Sequence, residues 1–269
     1  MIKLGSSTVI DSKNGFRTDE LRPLVADLAQ CRQNGIEVIL VSSGAIGLGR
    51  NRIQEKPQLT SLARKQALAS IGQAALINHY SSLFQEHNIH VGQILITTGD
   101  LAQRNQYINL RNSLNELIAL NAIPIINEND CTSTSELEST KDRGFGDNDV
   151  LAALVAAKLN VDIFIILTTV DGLYSSPPTH PSELPINEVR DLKDLSKINV
   201  GEVSELGRGG AASKIEAASI ASKCGIYTVI ANGNIPHIVD KILNSDNKPG
   251  THVFPSGHLS AKKKMDWFQ

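Results

Sequence analysis

Five short runs of β-branched and aliphatic residues recur along this chain, at 36–41, 90–97, 122–126, 161–167 and 226–231. Each breaks off at a polar or glycine-rich segment. Near-continuous apolar runs of this length are the pattern of strands covered on both faces. Between them lie stretches of helical period. In 18–34, Leu21, Leu24, Val25 and Leu28 fall at i, i+3, i+4 and i+7, one face of a helix, with Pro23 in its first turns and Gly35 placed as its C′ residue. Segments 60–85, 104–120, 147–158, 215–223 and 236–243 read as further helices. Strands alternating with helices specify a three-layer αβα sandwich around a mainly parallel sheet. Residues 1–7 open as a short strand, and 250–254 is expected to close the sheet as an edge strand. Residues 175–200 hold four of the ten prolines and are expected to form a small β excursion with short helices. Segment 60–85 is rich in Ala and Leu on more than one face, which suggests burial on two sides, partly against another subunit.

At 269 residues the chain can bury roughly three-quarters of its unfolded surface, so it needs no disulfide or metal staple. Its 26 basic and 28 acidic residues nearly balance, which argues against a nucleic-acid binder with a strongly basic face. The run Lys262–Lys264 reads as a solvated tail. Three widely spaced cysteines, Cys31, Cys131 and Cys224, form no metal pattern and point to a reducing compartment. The N-terminus shows no signal-peptide pattern and no apolar run reaches membrane-span length. A cytoplasmic protein with no membrane or nucleic-acid partner is the expectation.

The polar chemistry concentrates at strand ends, where open α/β sheets bind ligands. The densest stretch is 127–149: Asn127-Glu128-Asn129-Asp130 follows one strand, and Asp147-Asn148-Asp149 opens the next helix. The other junctions are Lys3–Ser7, Ser42–Gly49, Thr168–Tyr174 and Gly207–Lys214. Taken singly, such Asp and Asn clusters are as compatible with caps and turns as with a site. No EF-hand loop fits, the seven histidines are scattered without zinc spacing, and the P-loop and protein-kinase signatures are absent. The glycines of 44–49 are spaced GxxGxG, not as a dinucleotide fingerprint, which disfavours a nicotinamide-dependent oxidoreductase. Glycine loops with lysines and no general base suit phosphoryl transfer, in which the protein mainly positions groups and neutralises charge.

In order along the chain, Lys3-Leu4-Gly5-Ser6-Ser7, Ser42-Ser43-Gly44-Ala45-Ile46, Asn127-Glu128-Asn129-Asp130, Gly146-Asp147-Asn148-Asp149 and Gly207-x-Gly209-Gly210-x-x-Ser213-Lys214 closely resemble the glutamate 5-kinase branch of the amino acid kinase family. The resemblance covers the chain to about residue 255. It implies a kinase domain over 1–255 and a tail over 256–269, without the PUA domain of the longer forms. It implies ATP-dependent phosphorylation of the L-glutamate γ-carboxylate, the first step toward proline, with Mg²⁺ on the nucleotide and no protein metal site. By resemblance Lys3 and Lys214 are the catalytic cations and Asp149 holds them. Ser43, Gly44, Asn127, Asp130, Asp147 and Asn148 form the substrate cradle, with Asp130 and Asp147 both chemically suited to the ammonium. The ATP site takes Lys3, Gly5, Thr168, Thr169, Arg208, Gly209, Gly210, Ala211, Ala212, Ser213 and Lys214. Thr169 stands where the family usually has Asp, and Ala211 where it usually has Met. The resemblance further implies proline as feedback inhibitor, acting through the 131–146 loop, and a homo-oligomer, dimeric or tetrameric. A catalytically silent amino-acid sensor of the same fold, or another amino acid kinase, is the alternative.

Overall fold

The computed structural model describes residues 1–11, 15–54, 61–132, 148–176, 183–195, 198 and 210–256. The chain divides into two compact units, one of residues 4–148 and one that joins residues 1–3 to residues 149 onward. It opens with β1 (Ile2–Leu4), buried at all three positions.

The unit of residues 4–148 begins with a short α1 (Ser6–Val9) and a hairpin of β2 (Ile10–Asp11) and β3 (Gly15–Phe16). Then come α2 (Thr18–Gln33), β4 (Leu40–Val41), α3 (Ala45–Arg52), α4 (Leu62–Gln85), β5 (Val91–Ile96), α5 (Thr98–Ala102), α6 (Arg104–Ala119) and β6 (Ile123–Glu128). Its sheet runs β5-β6-β4 and both pairings are parallel, with Val91 opposite Ile123 and Leu40 opposite Ile125. The middle strand β6 is buried at every position. A central parallel strand has layers on both faces, which is why its sequence runs Ile-Pro-Ile-Ile rather than alternating. Helix α4 packs on α2, α3 and β5, while α6 packs on β6.

The other unit takes in α7 (Asn148–Leu159) from its second residue onward, then β7 (Ile163–Thr168), β8 (Glu188–Val189), α8 (Leu192–Leu195), α9 (Ala211–Lys223), β9 (Tyr227–Asn232), α10 (Ile238–Asn244) and β10 (Thr251–Val253). Its strands run β1-β7-β9-β10-β8. Met1 donates to Ile163 and accepts from Ile165, the two-residue offset of a parallel ladder. Strands β7 and β9 are parallel, and β10 is antiparallel to β9. The four middle positions of both β7 and β9 are buried. Helix α7 is apolar on nearly all sides, and Val150, Leu151, Ala152, Ala153, Val155 and Ala156 are all buried. Parallel, doubly covered strands joined by helices make this the expected mainly parallel αβα fold.

Three local expectations change. Strand β10 is not an edge, because β8 pairs with it on its far side. The glycine-rich segment after β4 folds as helix α3. Helix α9 starts at Ala211 rather than 215, which puts Ser213 and Lys214 inside its first turn. Among the described residues no helix is long and apolar enough to cross a membrane.

Candidate active site

Within the unit that contains β1 and α7, two lysines share one carboxylate. Lys3 is the middle residue of β1 and only 2 % exposed, Asp149 in the first turn of α7 has no exposed surface, and Lys214 on α9 is 8 % exposed. Lys3 forms an ion pair with Asp149 Oδ1. Lys214 Nζ donates to Oδ2 at 3.0 Å, and Ser213 Oγ donates to the same oxygen at 3.1 Å. Burial pushes the Asp149 carboxyl up, and the ammonium groups of Lys3 and Lys214 more than offset it, bringing the group down to about 2. Taken together the three side chains carry one net positive charge. Lys214 also sits at the N-terminal, positive end of α9, a position that is unfavourable for a cation and favourable for an anion. The cluster therefore suits a polyanion such as a chain of phosphates.

In the unit of residues 4–148, side chains from α4, β6, the first residue of α7 and the turn after β4 form a network of amides and hydroxyls. Asn148 Nδ2 donates to Ser43 Oγ at 2.8 Å, to the Ser42 carbonyl at 3.4 Å and to Asn127 Oδ1 at 3.3 Å. Asn127 Nδ2 donates in turn to Gln73 Oε1 at 3.2 Å. Ser43, Gln73, Asn127, Asp130 and Asn148 are all buried, each 5 % exposed or less. Behind Ser43, the buried Tyr80 hydroxyl meets Ser42 Oγ at 2.9 Å, and burial raises its phenol well above the usual tyrosine range. The turn that carries Ser43 depends on Gly44, whose φ of +103° is a left-handed conformation costly for any other residue. A Cβ there would also run into Ile10 Cδ1.

The polarity of this network has a chemical consequence. Ser43 Oγ accepts from Asn148, so its own proton is directed elsewhere and can serve an acceptor. Asn148 Oδ1 is buried and, among the described residues, has no hydrogen-bond partner. A buried acceptor left open is costly unless a ligand satisfies it. A hydroxyl donor beside an open amide acceptor suits a ligand that carries both hydrogen-bond acceptors and donors.

The remaining predicted residues are distributed as follows. Gly5 caps α1 with an ordinary extended backbone. Thr168 ends β7 half-buried and Thr169 follows it exposed. Their neighbour on β9 is Asn232, which donates to Asp171 at 2.9 Å, and Gly233 N–H donates to the Thr168 carbonyl at 2.8 Å. Gly210, Ala211 and Ala212 form the start of α9, with Gly210 and Ala212 exposed. Asp147, Arg208, Gly209 and most of the 131–146 loop lie outside the described residues. The sequence reading missed Gln73, which it left among the packing residues of 60–85. Its signal was an amide at a core position of an otherwise apolar helix face, beside Leu68, Ala69, Gly72 and Leu76. Ser213, expected at ATP, is hydrogen-bonded to Asp149.

The model of the amino acid kinase family matches residues 1–232. A glutamate 5-kinase of Dehalococcoides mccartyi is 39 % identical over 260 residues, spanning 96 % of this chain and 69 % of that protein. A glutamate 5-kinase of Clostridium acetobutylicum is 40 % identical, with 95 % of this chain and 94 % of that protein covered. Among solved structures, an isopentenyl phosphate kinase of T. acidophilum superposes with a TM-score of 0.60 at 18 % identity, over 94 % of this chain and 98 % of that one. At that identity the likeness establishes the fold alone. On the family match and the relatives together, the chain belongs to the amino acid kinase family, in its glutamate 5-kinase branch.

Proposed function

We propose that this protein transfers the terminal phosphoryl group of ATP to the γ-carboxylate of L-glutamate, giving ADP and γ-glutamyl phosphate for proline biosynthesis. The observation that carries the reading is the buried Lys3–Asp149–Lys214 cluster. A carboxylate oxygen attacks the γ-phosphorus, the new O–P bond forms, and the bond to the β,γ-bridging oxygen breaks. With an ordinary pKa of about 4.3 the nucleophile is already ionised at neutral pH, so no general base is required. The obstacle is repulsion between an anionic nucleophile and an anionic phosphoryl donor, and fixed cations oppose it. Lys3 and Lys214 supply them, and Asp149 holds both ammonium groups in place.

The amino-acid cradle is assigned to Ser43, Gly44, Asn127, Asp130, Asp147 and Asn148. The nucleotide is assigned to Gly5, Thr168, Thr169 and the segment from Arg208 to Lys214. Backbone N–H groups at the start of α9 provide a ready anion site for its phosphates. Mg²⁺, when bound, neutralises phosphate charge. A hard cation of this kind prefers oxygen ligands and retains waters, which suits phosphate oxygens. In this reading the metal arrives with the nucleotide, as MgATP.

Purified protein supplied with ATP, Mg²⁺, L-glutamate and hydroxylamine should form the γ-glutamyl hydroxamate. Glutamate binding without hydroxamate would instead support a catalytically silent sensor of the same fold. Proline as feedback inhibitor competing with glutamate, a homo-oligomeric state and a cytoplasmic location are part of the same proposal. Inhibition assays with proline and sedimentation velocity test the first two.

A further inference from the structure

Gln73 is buried on α4, and its amide bonds in two opposite senses. Its Nε2 donates to the Glu128 backbone carbonyl at 3.1 Å. Its Oε1 accepts from Asn127 Nδ2 at 3.2 Å. The Asn127 oxygen must then face the other way, where it accepts from the Glu128 backbone N–H at 2.9 Å and from Asn148 Nδ2 at 3.3 Å. A peptide carbonyl can only accept and a peptide N–H can only donate. The two peptide groups of Glu128 therefore fix which end of each amide is nitrogen and which is oxygen. The last amide in the relay is Asn148, whose nitrogen is drawn toward Asn127 and Ser43 and whose Oδ1 is left open.

We propose that Gln73 is a positioning residue for the amino-acid substrate, acting through Asn127 to keep Asn148 Oδ1 presented as the acceptor for the substrate ammonium. The proposal rests on the glutamate reading above and deepens it. Without the Gln73 oxygen, the Asn127 nitrogen loses its acceptor and only the Glu128 N–H still holds the amide in its sense, so the amide is held less firmly and can shift. A displaced Asn127 no longer offers Asn148 Nδ2 a firm acceptor, which leaves that nitrogen to Ser43 Oγ and the Ser42 carbonyl alone, so Asn148 Oδ1 is presented less rigidly to the ammonium. The same relay keeps Ser43 Oγ an acceptor toward Asn148, so that its proton is free for a substrate carboxylate. Gln73 reaches this network because Gly72 lets α4 approach closely: a Cβ at Gly72 would overlap the Ala45 carbonyl oxygen.

The test is a double-mutant cycle on the full chain, pairing Gln73→Met with Asn148→Ala. It is read by calorimetric titration of L-glutamate and by steady-state kinetics. Gln73→Met, which keeps the volume and removes both hydrogen bonds, should weaken glutamate binding by about ten-fold and raise its KM to match. The KM for ATP and the kcat at saturating glutamate should stay near wild type. In the Asn148→Ala background the same change should have almost no further effect, since nothing is left to orient. Equal weakening in both backgrounds would show Gln73 to be a packing residue, and so overturn the proposal. An unchanged glutamate affinity, or a parallel loss of kcat and ATP affinity, would do the same. If the Met variant does not fold, Gln73→Leu is read in the same cycle. Wild-type protein that binds no L-glutamate would sink the substrate reading itself, and that result is distinct from a failed cycle.

Discussion

Asp149 keeps its charge with no exposed surface because two buried ammonium groups repay the desolvation that would otherwise neutralise it. Its folded value, about 2, lies below the ordinary 3.8. The native state therefore binds this proton less readily than the unfolded chain. The resulting stabilisation, on the order of 2 kcal/mol, is full above the unfolded value and lost as pH falls from about 4 toward 2. Denaturant midpoints between pH 5 and pH 2.5 should fall more steeply for wild type than for Asp149→Asn, and parallel curves would contradict the assignment. In the proposed reaction, Lys214→Ala removes a cation that offsets the developing phosphoryl charge. It should lower kcat by about a hundred-fold or more while changing glutamate affinity little. Normal turnover in that variant would take Lys214 out of the mechanism. Lys3 and Lys214 were identifiable in the sequence only through the words around them. Their shared carboxylate was named by resemblance, and only the fold shows Lys3 and Lys214 meeting Asp149 from positions 146 and 65 residues away.

At the scale of elements, the close pairing of α3 with α4 shapes the proposed cradle. Gly49 lies against the Leu68 carbonyl and Gly72 against that of Ala45, so neither position has room for a side chain. Gly72→Ala should force the helices apart, costing roughly 1–3 kcal/mol as other overpacked cores do. The thermal midpoint should drop by several degrees and the glutamate KM should rise, because Gln73 moves with its neighbour. Gly99→Ala, where a Cβ would meet nothing closer than Thr97 Oγ1 at 3.4 Å, is the control and should be nearly neutral. A midpoint for Gly72→Ala equal to that of the control would refute the close approach. Helices α2, α4 and α6 were legible because each carries a long run of helical period. Helix α3 was not, because Gly44, Gly47 and Gly49 read as a loop; two of those glycines are packing positions inside the helix. The extent of β4 was also hidden, since only Leu40 and Val41 of a longer apolar run enter the ladder.

For the molecule as a whole, the proposed cradle residues Ser43, Asn127, Asp130 and Asn148, with Gln73 supporting them, belong to the unit of residues 4–148, and the charge cluster to the other. Glutamate binding should therefore not require nucleotide. L-glutamate alone, at about one hundred times its Kd, should stabilise the native state by about 2.7 kcal/mol through mass action. Thermal melts with glutamate, with MgATP and with both would check this, and a shift seen only with both ligands would refute independent binding.

The main alternation of strands and helices, the αβα class and the places where polar residues cluster were determined by the sequence alone. Periodicity and turn chemistry are local properties and survive in one dimension. What the tertiary structure decided is which polar atoms face each other. Lys3, Asp149 and Lys214 converge through strand order and a helix start that no local pattern encodes. The direction of each buried amide depends on backbone groups of Glu128, 55 residues from Gln73. Hydrogen-bond polarity is a property of contacts, and contacts of that sequence separation exist only once the chain has folded.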